Sequence, residues 1–355
     1  MTDAKARLPI MILAAGCLIS FLALGIRTSF GLFLPTVSAD LGWGREVFAL
    51  GLALQNLLWG LGQPIAGAVA DKFGNGRTIV AGAVCYAAGV AMMSTTGSPI
   101  EFHVSAGLLV GMGLAGTGFG VVLAAMGRAV PTERRSLALG LGAASGSLGQ
   151  FVMVPLGQTF LTTYGWQTAF LLLALIAALM IPLAWPLRSR PGERAPQLKQ
   201  SLSQALAEAG RHRGYILLTC GYFVCGFHVA FIAVHLPAYI IDKGLAPEVG
   251  AWALAIVGLA NVVGSITAGV AGGRYSKKYL LCFLYTARAV IITIFLLTPA
   301  TPASVLVFAF FMGLLWLSTV PLTTALVAQI FGVRYMATLV GIVFFSHQQI
   351  GRAHV

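Results

Sequence analysis

Ten stretches of this chain run for about twenty residues each with almost no charge, the length a helix needs to cross some 30 Å of hydrocarbon. They lie at 9–37, 47–70, 78–97, 102–125, 136–158, 166–187, 214–241, 249–272, 279–298 and 304–330. Of all residues 58% are hydrophobic and 9% charged, against about 25% charged in a soluble domain, so a water-soluble fold cannot hide the apolar surface. The prediction is an all-α polytopic membrane protein. The first run is too long for a secretory signal and has no small-residue cleavage site before the next, so it stays as a helix. The 43 glycines read as close helix packing, since lipid supplies no hydrophobic drive between helices. Cys17, Cys85, Cys220, Cys225 and Cys282 all sit in apolar runs with no C-x-x-C pair and no zinc-like His spacing, so they read as packing thiols and no metal is expected.

A formal charge of +12 would suggest nucleic acid in a soluble protein, but here the bases occupy short loops, which points to topology instead. Seventeen of them alternate onto one side: Lys5, Arg7, Lys72, Arg77, Arg128, Arg134, Arg135, Arg188, Arg190, Arg194, Lys199, Arg211, Arg213, Arg274, Lys277, Lys278 and Arg334. The other side holds Arg45 and Lys243. Cationic loops stay cytoplasmic, so the amino terminus is expected in the cytoplasm.

The longest polar stretch lies between the sixth and seventh runs. It divides the chain into a six-helix unit (1–187), a cytoplasmic linker (188–213) and a second unit of four helices plus the start of a fifth (214–355). Within the linker Leu198, Leu202 and Leu206 recur every four residues beside Ala205 and Ala209, the pattern of a short surface amphipathic helix or of a solvated connector. The two units repeat one another. Gly25–Phe30 (GIRTSF) aligns with Gly226–Phe231 (GFHVAF), and one residue of slippage later Leu34-Pro35 matches Leu236-Pro237. The same register pairs Asp40 with Asp242, Glu46 with Glu248, Gly67 with Gly269 and Lys72 with Arg274. Parallel repeats of this kind build two pseudo-symmetric bundles with a site between them near the bilayer midplane.

The run Gly67-Ala-Val-Ala-Asp71-Lys72-Phe73-Gly74-Asn75-Gly76-Arg77 resembles the loop signature of the major facilitator superfamily. A degenerate copy from Gly269 to Lys278 places Gly273 where the acid would be. Gly142 to Gly149, followed by Pro155 and Gly157, is similar to the glycine-proline helix of that superfamily. Arg27 and the following Phe30–Pro35 (FGLFLP) resemble the bacterial branch of monocarboxylate porters and oxalate/formate antiporters, although the Asp-Gly-rich start found in many porters is missing. The resemblance implies the major facilitator fold in a bacterial inner membrane, acting as a monomer. It also implies a cytoplasmic gate of Gly67, Asp71, Lys72, Gly74 and Arg77, with Asp71 accepting from basic groups or a helix N-terminus and Arg77 pairing across the loop; alternatively these charges only enforce topology. Superfamily members have twelve helices, so the chain is expected to stop within helix 11. Ile350–Val355 also resembles a reading frame of a DNA sequencing adapter and is expected not to be native.

An ionisable residue at depth costs at least about 2.5–3.5 kcal/mol, so one that persists is a functional candidate. Arg27 and Arg288 fall well inside spans, whereas every carboxylate sits at a span end or in a loop. The missing counter-charge then reads as a small anionic substrate clamped by an arginine fork. Arg27 is the first candidate. His228, its repeat equivalent, either adds a hydrogen bond or a coupling proton or simply packs, and His235 lies two turns further outward. Arg288 is read as bonded to helix-end carbonyls or to Asn261, or as a second substrate contact. Gln55, Asn56, Gln63, Gln150 and Asn261 need partners in lipid and serve interhelical bonding or specificity. Trp59, Phe231 and Trp316 form either apolar walls or packing. No hydrolase triad, nucleotide-binding loop or heme signature appears, so neither cofactor nor nucleic-acid partner is expected. The reading is a gradient-driven carrier of a small anion, linked to protons or a counter-anion. The alternatives are an exporter of apolar or cationic compounds, for which an embedded acid would be expected, and a membrane sensor or enzyme, which would need an added domain.

Overall fold

The computed structural model describes residues 2–188 and 200–349. Among these the side chains of 2–8, 230, 231, 233, 234, 237, 238, 247 and 349 fall outside the description, so Phe231's role as a wall does too. Leu198 and the adapter-like Ile350–Val355 also lie outside the described residues.

All regular structure among the described residues is helical. Among the described residues seven segments are long and apolar enough to cross a membrane: Pro9–Asp40, Asn75–Met93, Pro99–Arg128, Thr132–Leu183, Glu248–Arg274, Lys277–Leu297 and Pro302–Phe331. Thr132–Leu183 is two passes, because Gly165 breaks it with φ 75°. Ser29 packs near Gly157 before the break, while Phe30 and Phe33 meet Phe170 after it, so the chain doubles back. Two further helices, Arg45–Phe73 and Arg213–Asp242, have 29 and 30 residues. The amides Gln55, Asn56 and Gln63 make the first of these less apolar than its neighbours. Numbered in chain order these are spans one to ten, each overlapping a sequence-predicted run. The shorter apolar helix Met336–Gln349, 14 residues, follows and is numbered span eleven in the same series. Between spans six and seven a short helix, Leu202–Arg211, starts at a Ser201/Gln204 capping box and buries Ala205 and Ala209.

Two apolar cores fill the molecule. The larger passes through spans one to six and continues into the basic-loop ends of the later spans, through Leu322, Ala325, Met336, Ala337 and Leu339. The smaller is confined to the other ends of spans seven to ten, from Ile232, Leu236 and Ile240 to Phe308 and Met312. The two repeats therefore share a core at the basic face and part towards the opposite face. Span two packs on span eleven and span five on span eight, and small residues set how near they come. A Cβ on Gly67 would lie 2.4 Å from the Ala337 carbonyl oxygen, so any larger residue forces the two helices apart.

Candidate functional site

At the basic face Asp71 closes the second span with its side chain 1% exposed. One carboxylate oxygen pairs with the Arg128 guanidinium at the end of span four. The other accepts the Thr338 backbone N–H at 2.8 Å and hydroxyl at 2.6 Å. Thr338 lies in the first turn of span eleven, so the acid occupies the positive end of that helix. Arg128 also donates to Asn75 Oδ1 at 2.9 Å and to the Val333 carbonyl at 2.9 Å. One acid and one base thus tie spans two, three, four and eleven together. Gly74 supplies the left-handed turn, φ 103°, that joins spans two and three. Lys72 and Arg77 are exposed. The expected pairing of Arg77 across the loop is replaced, among the described residues, by Arg128, which reaches Asp71 from the side of the bundle. The second-half copy lies against the start of span five, where a Cβ on Gly272 would meet Ser136 Oγ at 2.2 Å. With Gly273 carrying no acid, the latch is one-sided.

At middle depth lies a second polar group. Arg27 Nη2 donates to Asn56 Oδ1 of span two at 2.5 Å, and its guanidinium carbon stands 5.0 Å from the centre of the Trp59 ring, within cation–π range. Arg27 Nε is buried with no partner, and no carboxylate pairs with this arginine among the described residues. Trp59 Nε1, both Gln63 amide atoms and Gln348 Nε2 are likewise buried without partners. Trp59 continues into Phe344 of span eleven at 5.2 Å, and Phe344 stacks on His347 at 5.4 Å. The structure thus joins Arg27 and Asn56 to an aromatic row that starts at Trp59 and crosses into the other repeat at Phe344. It shows no hydrogen bond or ring contact from Arg27 to His228, whose ring is half-buried with Nδ1 unpartnered. His235 is exposed on the same span.

Arg288 is treated differently. It is 0% exposed and donates through Nε and Nη2 to the Leu315 carbonyl at 3.2 and 2.5 Å, through Nη2 to the Trp316 carbonyl, and through Nη1 to Cys225 Sγ at 3.1 Å. These carbonyls lie where span ten breaks between Pro302–Leu315 and Thr319–Phe331. Asn261 serves the same break, its Oδ1 accepting Leu317 N–H at 2.8 Å while its Nδ2 donates to Ser147 Oγ in the first repeat at 2.5 Å. Trp316 is half-buried at the break and packs on the smaller core. Gln55 is consumed by the Ala106 carbonyl at 3.0 Å, an interhelical bond.

Sequence reasoning passed over Arg128, Thr338 and His347. Arg128 read as one loop base among seventeen, and its partner lies 57 residues away. His347 follows an unremarkable apolar run; a polar residue at middle depth was the one signal that could have marked it.

The model of the Major Facilitator Superfamily matches residues 16–354, and the chain belongs to that family. It is 29% identical to monocarboxylate transporter 13 of Bos taurus over 277 residues, 71% of this chain and 59% of that protein. The chain therefore spans about three fifths of that relative's length. It is 24% identical to the uncharacterized MFS-type transporter YcxA of Bacillus subtilis (strain 168) over 339 residues, 93% of this chain and 82% of YcxA. Among solved structures it superposes on FucP in the outward conformation with a TM-score of 0.77 at 18% identity, covering 98% of this chain and 90% of that one. The proton:xylose symporter XylE, bound to 6-bromo-6-deoxy-D-glucose, gives 0.75 at 16% identity, covering 98% and 87%.

Proposed function

We propose that the protein is a secondary transporter, not an enzyme, that carries a small organic anion of the monocarboxylate class, with Arg27 as the anchor for the carboxylate. The observation that carries this reading is the unmet demand at Arg27. A guanidinium in lipid holds its charge, yet this one has a neutral amide and a ring face for company and keeps Nε unused. The neighbouring unpartnered Trp59 Nε1 and the amides of Gln63 and Gln348 offer further donors, and a carboxylate supplies acceptors only. The likeness to monocarboxylate transporter 13 supports the same class.

In this reading residues 1–187 and 214–355 are two bundles joined by the linker 188–213, and they rock about the site. The basic face is cytoplasmic in a bacterial inner membrane, on the strength of the loop charges. The shared core and the Asp71–Arg128–Thr338 latch close that face while the opposite face is parted, a state that receives substrate from outside. Asn56 orients the guanidinium, and a gradient of protons or of a counter-anion drives the cycle.

Thermal unfolding of the purified protein in detergent with short and aromatic carboxylates, neutral sugars and organic cations tests the class. Stabilisation by carboxylates alone, absent in Arg27→Gln, is the expected result. Stabilisation by cations or sugars in place of carboxylates overturns it.

A further inference from the structure

We infer that His347 is a specificity-determining residue that holds a second polar group of the substrate, so that the preferred anion has a flat body with a hydrogen-bonding group remote from its carboxylate. This rests on Arg27 as the carboxylate anchor and adds the other end of the ligand.

His347 is 9% exposed, and among the described residues neither Nδ1 nor Nε2 makes a hydrogen bond of ordinary geometry, although the Cys225 thiol lies within electrostatic reach of the ring. A neutral imidazole always presents one donor and one acceptor, so whichever tautomer is present, both are left unmet in a part of the molecule where lipid supplies nothing. That thiol is already engaged by others: Cys225 Sγ lies 3.1 Å from Arg288 Nη1 and 3.3 Å from Thr319 Oγ1. The ring is fixed on both sides, stacked on Phe344 with an interplanar angle of 16° and lying 5.0 Å from Tyr222. A side chain so immobilised and so unsatisfied is aimed at something that comes and goes.

What comes is defined by the surface between the two poles. From Arg27 the path runs over Trp59 at 5.0 Å, Phe344 at 5.2 Å and His347 at 5.4 Å. Two aromatic faces in succession favour a flat, unsaturated body by offset or edge contact. One aromatic ring with substituents at opposite ends carries a carboxylate for Arg27 and a hydrogen-bonding group for His347, whereas a two-carbon acid has nothing to offer the second pole.

The test is competition against a labelled carboxylate in proteoliposomes, using 4-hydroxybenzoate, benzoate and acetate as probes with wild type, His347→Ala and His347→Gln. In wild type 4-hydroxybenzoate is expected to compete about tenfold better than benzoate, the worth of one well-made hydrogen bond, and acetate is expected to compete least. His347→Ala should erase the advantage of the hydroxyl while leaving benzoate within about twofold, and His347→Gln should restore part of it. Equal competition by 4-hydroxybenzoate and benzoate in wild type overturns the inference without any variant; if that competition still depends on Arg27, the anion reading stands. Competition by none of the carboxylates sinks both.

Discussion

Arg27 and Arg288 stand near the middle of spans one and nine, and among the described residues neither has a carboxylate beside it. The difference lies in what their donors meet. Arg288 reaches two backbone carbonyls and a thiol, each a charge-assisted contact of about 1.5–3 kcal/mol, which more than offsets an insertion cost of about 2.5–3.5 kcal/mol. Arg27 has one such bond, to Asn56, and an aromatic face, so it little more than breaks even and keeps a donor free. Arg128 is a third case, a part-buried arginine that does have its acid, Asp71. The same residue type thus holds a broken helix, keeps a donor open and ties four spans together at the basic face, and the partners decide which.

Substitution should separate the three roles. Arg288→Gln is expected to have the largest effect, because the carbonyls at the break in span ten lose their donors. A loss of about 3–5 kcal/mol is of the size seen when a buried charged group is removed from its network, and it should appear as a sharply lower unfolding midpoint and poor yield in detergent. An Arg288→Gln protein as stable as wild type would erase the contrast. Arg27→Gln should leave the midpoint near that of wild type and reduce carboxylate uptake about a hundredfold, with Arg27→Lys recovering part, since an ammonium keeps the charge and loses the fork. Asp71→Asn removes the charge from the latch and keeps an acceptor for Thr338. Hydrogen exchange over residues 336–340 should then rise about tenfold, an opening made easier by some 1.4 kcal/mol. The smallest effect is expected for Asn56→Ala, a three- to fivefold rise in KM at nearly unchanged kcat, the loss of one orienting hydrogen bond. A fall in kcat instead would mean that Asn56 acts in the rocking step.

Span existence was legible because crossing lipid imposes a length and an apolar content that no other requirement imitates. The turn at Gly165 was implied by the pair of runs at 136–158 and 166–187. The motif at Gly67–Arg77 was legible as a loop of Gly, Asp and Lys, but the partners of Asp71 were not. Thr338 lies 267 residues from Asp71, and nothing in a local pattern announces such a contact. Arg288 shows the limit from the other side: its charge was visible, whereas its partners are carbonyls, which every residue carries. His347 was missed because an imidazole after Phe345 and Ser346 interrupts no charge pattern, and only its stacking on Phe344, which in turn meets Trp59, links it to the other repeat.

The central claim is that the open donors of Arg27 receive a carboxylate. It is tested most directly by uptake of a labelled small carboxylate into proteoliposomes, wild type against Arg27→Gln, with both proteins shown to unfold at the same temperature. Saturable uptake in wild type and its loss in the variant is the predicted result. Equal saturable uptake by the two would contradict the account.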